Sequence, residues 1–152
     1  MDQRLPANGT EGVFSLIYLS DATAPMSRVS LDELATRAMA ANASVGITGY
    51  LTHRHSRFTQ YLEGNPARVR DLMERIRRDE RHSVLTAIEL GPVQRRFPGW
   101  SMQLLDPLWY PSGGPLEAID ELLGVVGGAE KANDELRRSL NQLVAKFSEF
   151  ER

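Results

Sequence analysis

Three polar side chains occupy positions at which the surrounding pattern requires apolar ones, namely Tyr18, Asn42 and Gln60. Tyr18 is in phase with Leu16 in an apolar, strand-like segment. Gln60 is in phase with Leu62 in another such segment, and Asn42 ends an apolar stripe that repeats at helical spacing. Burying an unpaired hydroxyl or amide costs about 1–3 kcal/mol, so each of these groups needs a hydrogen-bond partner.

The chemistry that these side chains can perform depends on whether they lie close together in the fold. Each one alone is most simply explained by hydrogen bonds to the others or to nearby backbone. Together, a phenol and two amides can bind a ligand that presents carbonyls and ring nitrogens. The amide of Gln60 both donates and accepts hydrogen bonds, so its rotation changes which bond reaches a ligand. Tyr18 can give up an electron and then a proton.

The segments that must position these residues alternate between strand-like and helix-like patterns. Strands are predicted at Val13–Ser20, Gly46–His53, Arg57–Gly64, Val84–Leu90 and Phe97–Leu105. A first helix is predicted to begin at Ser30, with a capping box to Glu33. A second helix is predicted after Asn65, an N-cap followed by proline. The order βαββαββ predicts an α/β (α+β) fold with a ferredoxin-like mixed sheet and two helices on one face.

The last third of the chain is predicted to add capping helices. One helix is predicted near Pro115–Val126, with a break at Gly127-Gly128 and a longer helix after it. That helix carries an apolar seam at Leu136, Leu140, Leu143, Phe147 and Phe150. We expect the seam to pack on the uncovered sheet face or on another subunit, and Trp109 to anchor these helices. The predicted organisation is a leader at 1–12, a domain at 13–105 and a helical extension at 106–152.

The composition is that of an ordinary cytoplasmic domain. The chain has 152 residues, a formal net charge of -2 and no cysteine. The missing thiols exclude disulfides, thiolate catalysis and thiolate metal sites. A near-neutral charge gives no electrostatic reason to expect a nucleic acid or a membrane as partner. His53 and His55 fall in a predicted turn without accompanying thiolates or paired carboxylates, so no metal site is predicted.

Five short segments, in this order, carry a family resemblance: SLIYLS, NASVGITGYL, RFTQYLEG, DERH and RRFPGWSM. They resemble the successive signatures of BLUF domains, which are blue-light sensors, over roughly Val13 to Leu105. The resemblance implies a non-covalent FAD, with FMN possible, between the two helices. It further implies a photoreceptor without catalytic turnover, which signals to a downstream protein or through a homo-oligomer.

The resemblance also implies roles for particular residues. Tyr18 matches the tyrosine that donates an electron to the excited flavin. Gln60 matches the glutamine that bridges it to the flavin N5 and C4 carbonyl, and Asn42 matches the asparagine at the C4 carbonyl and N3 edge. Arg75 matches a basic residue near the C2 carbonyl. The adjoining pocket wall is expected to contain Asp79, Arg81 and His82.

Two further residues match the Trp-x-Met of the fifth strand. Trp100 and Met102 are thought, by this resemblance, to relay the change at the glutamine. The sequence departs from the family at Ala38 and Ala41, where serine and a polar residue are frequent, which removes possible hydrogen bonds from the pocket.

Two alternatives belong to other functional classes. The first is a hydrolase that resembles acylphosphatase on the same fold and uses an arginine and an asparagine. The second is a photo-silent interaction module. A colourless protein would favour the hydrolase, and a flavin-bound protein without a photocycle would favour the module.

Overall fold

The computed structural model describes residues 12–105, 110–126 and 134–151. Within these ranges the chain forms the strands β1 (Gly12–Ala22), β2 (Thr48–Arg54), β3 (Arg57–Gly64), β4 (His82–Gln94) and β5 (Ser101–Leu105). The helices are α1 (Arg28–Ser44), α2 (Pro66–Arg78), α3 (Pro115–Val126) and α4 (Asp134–Glu151). Nearly all of the predicted leader, Trp109 and the Gly127-Gly128 break lie outside the described residues. No helix in the described ranges is long and apolar enough to cross a membrane.

The five strands form one mixed sheet in the order β4-β1-β3-β2-β5. Neighbouring strands are antiparallel except β2 and β5, which are parallel. The first four strands have the ferredoxin-like order, and β5 extends the sheet beside β2. β1 is central and apolar on both faces because helices cover both sides of the sheet. The predicted fold class is confirmed.

The sheet separates two apolar layers. On one face, α1 and α2 pack over buried sheet residues that include Phe14, Leu16, Tyr18, Leu51, Phe58, Leu62 and Met102. On the other face, α3 and α4 pack over Ile17, Leu19, Tyr50, Tyr61, Ile88 and Leu90. Alternate residues of each strand therefore belong to different layers. This alternation places Tyr18 beneath α1 and α2.

The apolar seam of α4 lies against the sheet. Leu140 and Phe147 are buried in the layer under α3 and α4, and Leu136 and Leu143 are half-buried on its edge. The seam therefore packs on the sheet face, which is the first of its two expected positions. α3 and α4 cap the sheet. The side chain of Phe150 lies outside the described part of the chain.

Several predicted boundaries were wrong by a few residues. α1 begins at Arg28 rather than Ser30, because Ser27 has extended backbone angles and its hydroxyl oxygen accepts a hydrogen bond from the backbone N–H of Ser30. β2 begins at Thr48 rather than Gly46. β4 is longer than predicted because it pairs with β1 along its whole length. β5 begins at Ser101 rather than at Phe97.

A buried carboxylate fixes the loop between β4 and β5. Glu63 has no exposed surface, and its oxygens accept hydrogen bonds from the hydroxyls of Thr48 and Tyr61, each at 2.9 Å. The backbone N–H groups of Arg96 and Phe97 donate to the same carboxylate, at 2.9 and 2.7 Å for the shortest contacts. Glu63 therefore ties the end of β3 to the segment that leads into β5.

Candidate cofactor-binding site

A cavity of about 260 Å³ lies between α1, α2 and the sheet face that they cover. Its size is close to the lower end of the roughly 300–1,000 Å³ found for small-molecule pockets. Seven of the residues singled out from the sequence line this cavity: Tyr18, Asn42, Gln60, Arg75, Asp79, Arg81 and His82. The structure therefore brings most of the predicted site residues together.

Tyr18 and Gln60 lie opposite each other on neighbouring strands. The register of β1 and β3 pairs them directly, so both side chains point to the same face of the sheet. The phenolic O–H of Tyr18 donates to Oε1 of Gln60 at 2.5 Å. Burial raises the pKa of Tyr18 well above its ordinary value, and the nearby Asp79 raises it further. Tyr18 is therefore neutral near pH 7 and keeps its proton for this hydrogen bond.

Two buried amides of the cavity have hydrogen-bonding capacity that no protein group uses. Asn42 is 3% exposed, yet its side chain makes no hydrogen bond to any described residue. Gln60 uses Oε1 to accept from Tyr18, and its amide nitrogen has no partner within the described ranges. Both side chains line the cavity, so a ligand bound there can supply acceptors for their unused donors. The carbonyls and ring nitrogens along the edge of a flavin are such acceptors, so these residues fit that group.

Charged side chains also line the cavity. Arg81 donates to both carboxylate oxygens of Asp79, with Nε at 2.9 and 3.0 Å and Nη2 at 2.5 Å. This arginine lowers the pKa of Asp79 to about 2, and the carboxylate in turn raises the pKa of Arg81. Asp79 is therefore ionised and already paired, so it is not available as a proton donor to a ligand.

His82 is held between a strand and the end of α2. Its Nδ1 lies 2.7 Å from the hydroxyl of Ser20, and its Nε2 lies 3.1 Å from the carbonyl of Ile76. A carbonyl can only accept, so Nε2 carries the proton and Nδ1 accepts from Ser20 in the neutral ring. Burial lowers the pKa of His82. The ring is therefore neutral where it borders the cavity.

The depressed pKa of His82 predicts a loss of stability on acidification. The unfolded chain takes up a proton as the pH falls below the ordinary histidine value of 6.5, whereas the folded chain resists it. We expect the unfolding free energy to decrease between about pH 7.5 and about pH 5, and to decrease less in His82→Gln. Chemical denaturation at the two pH values measures this. An equal decrease in both proteins would contradict the expectation, because the other histidines are common to both.

Trp100 and Met102 do not line the cavity. Met102 is fully buried in the same layer as Tyr18, beneath α1 and α2. Trp100 lies just before β5 and stacks on Phe97, with ring centroids 5.4 Å apart, and it packs near Phe147 of α4. The two members of the Trp-x-Met motif therefore belong to opposite layers of the sheet.

Sequence reasoning missed one charged residue of the cavity. Arg37 lines it together with Leu34, Ala38 and Ala41, and all four are on α1. The helical spacing could have identified it: Arg37 lies three residues after Leu34 and four before Ala41, so the three residues lie on one face of α1. Ala38 and Ala41, the two departures from the family pattern, also line the cavity.

The fold and this cavity define a cofactor-binding domain on a ferredoxin-like sheet. A family model described as sensors of blue-light using FAD matches residues 13–103, which is more than half of the chain. The chain belongs to this family, the BLUF domains, which sense blue light with a bound flavin. The resemblance found in the sequence is therefore confirmed.

Individual relatives contain the same domain within longer chains. Photoactivated adenylate cyclase subunit beta of Euglena gracilis is 34% identical over 138 residues, which are 90% of this chain and 15% of that protein. BlrP1 of Klebsiella pneumoniae, solved with FMN and cyclic diGMP, is 33% identical with a TM-score of 0.59, over 88% of this chain and 34% of the other. The solved structure of BlrP1 BLUF is also 33% identical with a TM-score of 0.59, over 90% of this chain and 93% of that chain.

Proposed function

We propose that this chain is a blue-light receptor in which Tyr18 and Gln60 convert the excitation of a bound flavin into a change of hydrogen bonding. The hydrogen bond between these two side chains, at the wall of a cavity with unused amide donors, carries the proposal. The match to a sensor family favours this function over an acylphosphatase-like hydrolase.

Different residues of the cavity bind different parts of the flavin in this proposal. FAD or FMN, when bound and excited, supplies an acceptor for one electron. Asn42 and Gln60 offer amide groups to the carbonyl and nitrogen edge of the ring, and Arg75 offers a cation to its C2 carbonyl. Asp79, Arg81 and His82 form a wall whose hydrogen bonds are largely satisfied within the protein. This wall positions the ligand without exchanging protons with it.

Tyr18 and Gln60 perform the switching step in this proposal. Tyr18 is buried and has a raised pKa, so loss of an electron releases its phenolic proton towards Oε1 of Gln60. Gln60 then rotates or changes tautomer. The electron and a proton return to Tyr18, so no net oxidation remains, and the amide of Gln60 is left presenting a different donor to the cavity. The light state is this rearranged hydrogen-bond network, which shifts the population of two conformers of the surrounding sheet.

Asn42→Ala separates ligand binding from folding. We expect the affinity for FMN to fall about tenfold, because a buried carbonyl of the ligand loses its donor. The unfolding free energy of the ligand-free protein should not fall, since this side chain bonds no described residue and alanine is a better helix former. Calorimetric titration and chemical denaturation measure the two quantities. A destabilised protein with unchanged affinity would show that Asn42 has a structural role instead.

A polar network connects the switching strand to the capping helices. Thr59 is the neighbour of Gln60 on β3, and its hydroxyl donates to Asp120 of α3 at 2.8 Å. Tyr110 donates to the same carboxylate and lies 3.2 Å from the hydroxyl of Thr52. This network supports a route by which a displacement of β3 reaches α3. A relay through Trp100 and Met102 of β5 is the other route, and Trp100 reaches α4 through Phe147.

The output of the receptor is a separate signalling protein or a second copy of the chain. Relatives carry the matched region within larger proteins named as adenylate cyclases, which supports coupling to an effector. The cytoplasm, which the composition predicts, is the proposed location.

Reconstitution with flavin tests the binding part of the proposal. We expect the purified chain to bind FAD or FMN in a 1:1 complex in the cavity beneath α1 and α2, and to release the flavin on denaturation. A chain that is folded but binds neither flavin would overturn the proposed function.

A further inference from the structure

The proposed flavin site adjoins a second cavity that shares part of its wall. The second cavity has a volume of about 250 Å³ and lies between the segment after β1 and the start of α1. Four residues line both cavities: Met26, Leu34, Arg37 and Arg81. A ligand with a long side chain can therefore lie in the first cavity and continue past these residues into the second.

We infer that Arg37 binds the phosphate of the flavin side chain at the junction of the two cavities. The inference rests on the proposed function, and it assigns the phosphate-binding residue of that site. It predicts that the chain distinguishes phosphorylated flavins from riboflavin.

The side chains that line the first cavity differ in burial and charge. Tyr18, Asn42 and Gln60 are buried and uncharged, which suits the neutral ring of a flavin. Arg37, Arg75 and Arg81, which also line this cavity, are exposed and cationic. A phosphate group is costly to bury without cations and is stable beside arginines that remain in contact with water. The phosphorylated side chain is therefore expected beside the exposed arginines that line both cavities, Arg37 and Arg81.

Among these three arginines, Arg37 is the one best placed to bind the phosphate. Arg81 is engaged by Asp79, and Arg75 lines only the first cavity. Arg37 lines both cavities, and it makes no hydrogen bond or ion pair with any described residue. The combined walls contain these three arginines and two carboxylates, Asp79 and Glu33, so a net positive charge remains. An arginine presents a planar set of donors that matches phosphate oxygens.

Binding of three flavins tests this assignment. Riboflavin has no phosphate, FMN has one, and FAD continues beyond its first phosphate. In the unmutated chain we expect FMN and FAD to bind about tenfold more tightly than riboflavin. Arg37→Ala should remove most of this difference and leave the affinity for riboflavin unchanged, and Arg37→Lys should restore part of it. The readout is the dissociation constant of each flavin, measured in the dark.

Arg28→Ala is the matched control. It removes the same charge from the same helix, but Arg28 lines neither cavity and pairs with Asp32. It should leave all three affinities unchanged. Equal losses for riboflavin, FMN and FAD in Arg37→Ala, or no loss for any, would overturn the inference while leaving the proposed function intact. A chain that binds none of the three flavins would overturn both.

Discussion

Tyr18→Phe is expected to bind flavin and to show no light-induced shift of its absorption spectrum. Phenylalanine fills the same buried space, so the cavity keeps its shape. Its ring lacks the phenol oxygen, so it is much harder to oxidise than tyrosine, and it has no O–H to donate to Oε1 of Gln60. Gln60→Leu should have the same effect, because leucine has a similar volume but can neither accept the proton nor present an amide. Absorption spectra before and after blue light measure both.

Tyr50→Phe is the matched control for the loss of a buried hydroxyl. Tyr50 is fully buried under α3 and α4, and its hydroxyl has no partner among the described residues. Its removal should leave the light response intact and should not lower the stability, since an unpaired buried hydroxyl contributes nothing favourable. A full response in Tyr18→Phe or Gln60→Leu would contradict the switching step, even with flavin bound.

Glu63→Gln is expected to lower the unfolding free energy by about 2–4 kcal/mol. A carboxylate offers two acceptor oxygens to the four groups that donate to Glu63, whereas an amide offers one oxygen and two further donors. The hydroxyls of Thr48 and Tyr61 can rotate away. The backbone N–H groups of Arg96 and Phe97 cannot, and an amide oxygen in the place of Oε2 would still accept from both. The amide nitrogen would then replace Oε1, 2.9 Å from the backbone nitrogen of Arg96, and set two buried donors against each other. Chemical denaturation of the ligand-free chain measures the change.

Glu89→Gln makes the same substitution at the surface. Glu89 pairs with Arg70 at 3.4 Å, and both side chains are about half exposed. Exposed ion pairs contribute little, so the expected change is within about 0.5 kcal/mol. A change of similar size in Glu63→Gln would show that the buried carboxylate does not stabilise the loop before β5.

The order of the elements was predictable because each one carries a local signal. Strands show apolar alternation, and α2 starts at Asn65, whose side chain caps the backbone N–H groups of Ala67 and Arg68. Boundaries set by partners elsewhere in the chain were not predictable. β4 extends to Gln94 because β1 offers hydrogen bonds along that length. Ser27 and Ser30 are both good caps, so local sequence does not decide between them.

The site was predictable where a polar residue interrupts an apolar face. Tyr18 and Gln60 could be found in this way because the strand periodicity fixes the direction of their side chains. The layer to which Trp100 belongs could not be predicted, because its spacing of two residues from Met102 predicts that both side chains lie on the same face of the sheet. Trp100 lies outside the strand, after a turn at Pro98-Gly99, and Met102 has a φ of 114°, so the alternation does not hold there. Arg37 and Glu63 were not predicted, because charged residues in such segments usually face solvent.

The most direct test of the account is the absorption spectrum of the flavin-bound chain in the dark and after blue light. We expect a small shift of the visible bands to longer wavelength that reverses in the dark, without loss of the oxidised flavin absorption. A rearranged hydrogen bond to an otherwise unchanged flavin gives this result. A flavin-bound chain whose spectrum does not change on illumination would contradict the account and identify a photo-silent module on the same fold.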